Sequence, residues 1–251
     1  MYYSPDEAAC LRSFSRPRYF YGQLLDVRHF EAEQEYFKRK LWMLSRMVSG
    51  FGVVCGLDVQ VGNDDKGVVV TPGLALDKHG REIVVPCQSK EVKIDPLPTP
   101  DPKQPEAEHC GGEWVHLVVC YCESRADPEP VLASGCDSSE RCSPGTVREG
   151  YELRLRDGKA PSVSVDCQIP NLIKGNAVNY RALVDWVSAP CDECEDPSIT
   201  LANIRRPQAG GTLDANDIDI SVRPVVFSLD LLWELVLALT HETQSRRTGK
   251  S

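Results

Sequence analysis

Long apolar runs are missing from this chain, aromatic residues make up only 7% of it, and acidic residues outnumber basic ones enough to give a net charge of −9. Each shortage removes a class of function. A membrane-spanning helix needs about 18 or more consecutive apolar residues. The longest candidate, Leu229 to Leu239, is interrupted by Asp230 and Glu234. A nucleic-acid binder needs a basic face to neutralise phosphates, and the acidic balance argues against one. The opening residues MYYSPDEAACLRSFSRPR hold no basic segment followed by an apolar run, so no secretory signal is expected there. The expectation is a soluble chain made and assembled in the cytoplasm, with release as part of a larger particle or export by a non-classical route left open.

Catalytic motifs are missing as well. The five histidines, His29, His79, His109, His116 and His241, form no H-E-x-x-H pair, and no G-x-S-x-G elbow is present. The terminal Gly249-Lys250-Ser251 resembles the end of a P-loop, but Gln244 stands where its first glycine belongs. Asp214, Asp217 and Asp219 do not follow a calcium-loop pattern and read as a solvated acidic turn. The expectation is a chain that is not an enzyme. A hydrolase with a dispersed site is the least favoured reading.

What the chain does have is a well-marked helix and many short strands. Residues 1–25 read as an extended arm, punctuated by Pro5 and Pro17 and ending in the aromatic cluster Tyr19-Phe20-Tyr21. Asp26 is placed to cap a helix carrying Phe30, Phe37, Leu41, Leu44 and Val48 at helical spacing, with Trp42 and Met43 beside that stripe. Glutamates lie early in the helix and lysines and arginines late, which suits its dipole, and Gly50 and Gly52 mark its end.

Period-two patterns follow. They predict one strand over Val53 to Val61, a second over Val68 to Thr71, and a hairpin joining Leu74–Leu76 to Ile83–Val85. Residues 26–95 thus form a helix plus β-hairpins. Residues 96–112, rich in proline and acid, read as a linker or long loop. Residues 113–243 read as a cysteine-containing β-rich region, with strands at Val115–Cys122, Tyr151–Arg156, Ile199–Ile204 and Ile218–Val222. That region holds a short helix over Ala177–Val187 and closes on a helix capped by Ser228. Residues 244–251 read as a disordered tail. The fold class expected is α+β: an N-terminal amphipathic helix on a mainly antiparallel β-body, with a C-terminal helix.

Eleven cysteines without an export signal point away from a disulfide scaffold and toward thiols or metal ligands. Cys191-Asp192-Glu193-Cys194 has the spacing with which two thiolates grip one Zn2+ at about 2.3 Å. Cys136 and Cys142 form a looser second pair that could complete a four-thiolate structural site, with Cys120 and Cys122 as alternates. Free thiols and loop disulfides stay open beside that reading. The candidate partner-binding residues are Arg18, Tyr19, Phe20, Tyr21, Phe30, Phe37, Leu41 and Trp42, because they concentrate apolar surface on a short stretch. Packing within the chain is the competing explanation.

Three stretches carry a family resemblance: Arg18 to Leu25 (RYFYGQLL), Glu33 to Tyr36 (EQEY) and Gly50 to Leu57 (GFGVVCGL). Pro72 to Asp77 (PGLALD) and Gly80 to Ile83 (GREI) continue it, and Arg148 to Tyr151 extends it more loosely. Together they resemble the opening of a bacterial family of structural proteins associated with contractile injection systems and phage tail-like particles, over about residues 14 to 90. The resemblance implies a baseplate, fibre-attachment or cap-adaptor component. Its partners would be sheath, tube, baseplate or fibre subunits, and it would be present in several copies. A metal-stabilised binding or effector-like module carried by such a particle is the alternative.

Overall fold

The computed structural model describes residues 13–97, 112–131, 142–163, 167–175, 177–190 and 196–248, with side chains described as far as residue 239 of the last helix. The fold is α+β: an N-terminal helix, mainly antiparallel sheets and a C-terminal helix.

Helix α1 spans Val27–Leu44. Asp26 caps it as its sequence position predicts. The side chain accepts from the Arg28 amide, and the His29 ring closes a capping box on the Asp26 amide. A π-helical turn, Ser45–Ser49, carries the chain to Gly50, whose φ of 75° ends the helix.

The strands expected as one run over Val53 to Val61 are two: β1 (Gly52–Gly56) and β2 (Val59–Val61), in different sheets. The break is at Gly56 and Leu57, both with positive φ. There the chain crosses Pro72 and Gly73 at backbone distance, and a Cβ on Gly56 would lie 2.0 Å from the Pro72 carbonyl oxygen. Strand β1 then pairs with β4 (Gly73–Leu76), which pairs with β5 (Glu82–Val85). Strand β2 pairs with β3 (Gly67–Val70), and β3 with β6 (Val92–Lys93). Gly73 in one arm of the crossing and Gly56 in the other each leave room for the facing backbone.

A four-stranded antiparallel sheet follows, ordered β12-β11-β7-β8. Its members are β7 (Trp114–Pro130), β8 (Cys142–Asp157), β11 (Ile199–Arg205) and β12 (Ile218–Asp219). A small ribbon of β9 (Ile173–Lys174) and β10 (Ala177–Val178) precedes α2 (Tyr180–Val187). Alternation sends Val115, Leu117 and Val119 of β7 inward, where they meet Ile199, Leu201 and Ile204 of β11 and Leu57, Val68, Ile83 and Val85 from the earlier sheets in one buried cluster. The core therefore joins the chain before the 96–112 segment to the chain after it. A return strap adds to this: Val53 donates to the Pro224 carbonyl at 2.8 Å and Val226 donates to the Val53 carbonyl at 3.0 Å.

Two strands are much longer than their hydrophobic pattern predicts. Strand β11 covers β7 only from Trp114 to Val119, yet β7 and β8 stay paired out to Pro130 and Cys142. Beyond Cys122 they form a two-stranded ribbon with nearly every residue exposed, held by cross-strand contacts such as Arg148 to Asp127 at 2.8 Å. The final helix α3 (Leu229–Thr248), capped by the Ser228 hydroxyl, includes residues 244–248, which the sequence predicted to be disordered. Among the described residues no helix is long and apolar enough to cross a membrane.

Candidate partner-binding surface

The arm and α1 together build the site. Before the helix, Tyr19-Phe20-Tyr21-Gly22 makes a turn in which the Gln23 amide donates to the Phe20 carbonyl and the Gln23 side chain accepts from the Phe20 amide. The arm lies back along the helix. The Tyr19 hydroxyl donates to Glu33 Oε2 at 2.8 Å, which raises the phenol's pKa above its ordinary value. Phe14 meets Tyr36 edge to face at 6.4 Å. Lys40 donates to the Tyr36 hydroxyl at 3.1 Å and lowers its pKa. Between arm and helix lies an open groove of about 340 Å³, lined by Arg16, Pro17, Arg18, Tyr19, Glu33, Tyr36 and Phe37.

One side of α1 rests on the β-body. Trp42 packs edge to face on Tyr121 at 6.3 Å, Lys38 sits 5.0 Å from the Trp42 ring, and the Arg81 guanidinium covers Tyr121 at 4.7 Å. Burial, with help from Glu123, pushes the Tyr121 phenol far above its ordinary range. The closest approach is backbone on backbone: a Cβ at Gly80 would fall 2.0 Å from the Trp42 carbonyl oxygen. Gly80 is held there by the turn that Asp77 organises. The fully buried Asp77 carboxylate accepts from the His79 amide (2.8 Å), the Arg81 amide (2.9 Å) and Arg81 Nε (2.6 Å). The motif Pro72 to Asp77 with Gly80 to Ile83 is thus the seat of α1.

The other side of α1 is uncovered. No residue of the helix is buried. Tyr19, Phe20, Tyr21, Phe30, Phe37 and Leu41 are all exposed, as is Arg18, and so are Leu24, Val27, Leu44 and Val48, which are not among the candidate residues named from the sequence. Counting helical spacing forward and backward from Phe37 recovers Val27 and Leu44. Trp42, the remaining candidate, is half-buried against Tyr121, because its position on the helix faces the sheet. Helix α3 is a second uncovered apolar surface, with Leu232, Trp233, Leu235 and Val236 exposed.

Of the expected zinc ligands, Cys136, Cys191 and Cys194 lie outside the described residues. Cys142 is an exposed free thiol opposite Pro130. Cys120 and Cys122 are free thiols opposite Glu152 and Gly150. Cys142 is eight residues along the ribbon from Gly150, or roughly 27 Å at strand spacing. The register therefore separates Cys142 from both alternates, and they do not share one ion. Burial raises the Cys120 thiol pKa, which disfavours the thiolate. Among the described residues, no group of three or more His, Cys, Asp or Glu side chains could hold a metal. His116 is occupied by the Gly158 carbonyl at 2.9 Å.

No family model matches the chain, and no curated protein matches it. Among solved structures, the chain is similar to a crystal structure of TssK, with a TM-score of 0.39 and 12% identity. That alignment covers 82% of this chain and 41% of the TssK chain, so the present chain spans about two fifths of the neighbour's length.

Proposed function

We propose that this chain is a non-catalytic structural subunit of a contractile injection system or phage tail-like particle, of baseplate, fibre-attachment or cap-adaptor type. It binds neighbouring subunits through its N-terminal arm and the outer face of α1. The observation that carries this reading is the set of exposed apolar side chains between Tyr19 and Val48, on the arm and on a helix that buries none of its own residues. Large exposed apolar patches on a folded chain mark interaction sites, and aromatic anchors dominate such interfaces. The sequence resemblance over about residues 14 to 90 supplies the kind of assembly.

Removing residues 1–25 takes away the aromatic anchors but leaves α1 seated on Gly80 and Tyr121. The expected outcome is unchanged thermal unfolding of the β-body, with recovery in purified particles falling about tenfold or more. Full incorporation of the shortened chain would refute the role given to the arm.

The alternative, a metal-stabilised binding or effector-like module on such a particle, is favoured by one arrangement. Cys120 and Cys122, two residues apart, share a face of β7. This reading predicts stoichiometric zinc in the purified chain, lost together with part of its thermal stability in the Cys191→Ser, Cys194→Ser double variant. Zinc-free protein of unchanged stability after growth in zinc would sink it.

A further inference from the structure

Helix α1 carries a second level of order that bears on what covers it. Val27, Phe30, Gln34, Phe37, Leu41 and Leu44 follow one another at steps of 3, 4, 3, 4 and 3, which is the a/d pattern of a coiled-coil seam. The five apolar members are between 49% and 69% exposed, and Gln34 is exposed too. The seam stops at Leu44, where the π-helical turn Ser45–Ser49 changes the phase.

We infer that this seam pairs with the same seam of a second copy of the chain, antiparallel, across a twofold axis between Glu35 and Tyr36. The inference rests on the assembly reading above and names one of its partners. The step pattern reads the same in both directions. Antiparallel pairing therefore sets Val27 against Leu44 of the second copy, Phe30 against Leu41, and Gln34 against Phe37. Such self-complementarity is what a twofold interface demands, because residue i must meet j while j meets i.

The flanking charges repeat that symmetry. Glu31 and Lys38 lie on one side of the seam, and Glu33 and Lys40 on the other. Antiparallel pairing brings Glu31 to Lys38 and Glu33 to Lys40 of the second copy, each twice, giving four attractions. A parallel pair would keep only Glu33 with Lys38, would set Asp26 against Glu31, and would align the two helix dipoles unfavourably. Within the chain, Glu33 also accepts from Tyr19, Lys38 pairs with Glu35 at 2.9 Å, and Lys40 donates to Tyr36. Lys38 also lies 3.8 Å from Glu123 of β7, on the side of the seam that meets the β-body. Gln34 and its symmetry mate would lie about 4.5 Å apart along the axis, near enough to bond across the dyad and fix the register.

Sedimentation of the full chain over a range of concentrations reads self-association, and benzoylphenylalanine in place of Phe30 reads the register. Expected are a concentration-dependent dimer and a photo-cross-link from position 30 to the Leu41–Leu44 region of another copy. Leu41→Glu, on an exposed position, is expected to abolish the dimer with an unchanged circular dichroism spectrum. Lys40→Glu is expected to weaken it about tenfold, and Glu33→Lys in the same chain to restore it. A chain that is monomeric at every concentration, a dimer that survives Leu41→Glu, or a cross-link from position 30 to position 30 would overturn the inference. A monomer that still enters particles in an arm-dependent way would remove self-pairing and leave the assembly role. A seam dimer whose incorporation ignores the arm would do the reverse.

Discussion

Replacing Gly56 with alanine is expected to cost about 2–4 kcal/mol, a large fraction of the roughly 5–15 kcal/mol by which a folded domain is stable. Two effects add. An alanine at φ +63° carries left-handed strain of about 1 kcal/mol. Its Cβ would also lie 2.0 Å from the Pro72 carbonyl oxygen and 2.9 Å from Gly73 Cα. Both obstacles are backbone, so relief requires β1 to move off β4, and Leu57, which is fully buried next to the crossing, must move with it. Such overpacking costs about 1–3 kcal/mol on its own. Gly158→Ala is the matched control: its φ is +81°, but nothing lies within 4 Å of the added carbon. Denaturant unfolding of both variants separates strain from clash. Equal losses in the two would refute the crossing as the source of the effect.

The second large effect is expected at Asp77. Asp77→Ala removes a fully buried carboxylate and leaves the His79 amide, the Arg81 amide and Arg81 Nε without their acceptor, at a cost of about 3–5 kcal/mol. Asp77→Asn keeps an acceptor for the turn but turns an amide NH2 toward one of the donors, so it should fall between alanine and wild type. This loss has a local signature. The turn presents Gly80 to Trp42, so loosening it should release α1 before the β-body unfolds. Limited proteolysis should cut within residues 27–50 faster in Asp77→Ala than in wild type, under conditions where both bodies remain folded. Equal protection of the helix in both would show that the turn does not hold it.

The helix was legible in the sequence because its signals are local. Asp26 caps it, the apolar spacing is regular, and Gly50 ends it, all within one continuous stretch. The break between β1 and β2 was not legible. Val53 to Val61 reads as one alternating run, and only the approach of Pro72 and Gly73 from elsewhere in the chain explains why Gly56 and Leu57 turn left-handed. The outer halves of β7 and β8 were hidden for another reason. Pro128, Pro130, Pro144 and Gly145 are poor strand formers, and no apolar alternation marks a ribbon with nothing to pack against. At the site, the concentration of apolar residues between Tyr19 and Leu41 was legible, whereas their exposure and the inward turn of Trp42 depended on where the β-body and Tyr121 of β7 lie.

The close approach of Gly80 to the Trp42 carbonyl ties the C-terminal half of α1 to the β4–β5 turn. Main chain bears directly on main chain there, with no side-chain rotamers between them to yield under load. The ribbon past Cys122 behaves in the opposite way, because two strands without a covering layer bend easily. The chain therefore carries one helix tied to its β-body at a main-chain approach and one ribbon without a covering layer.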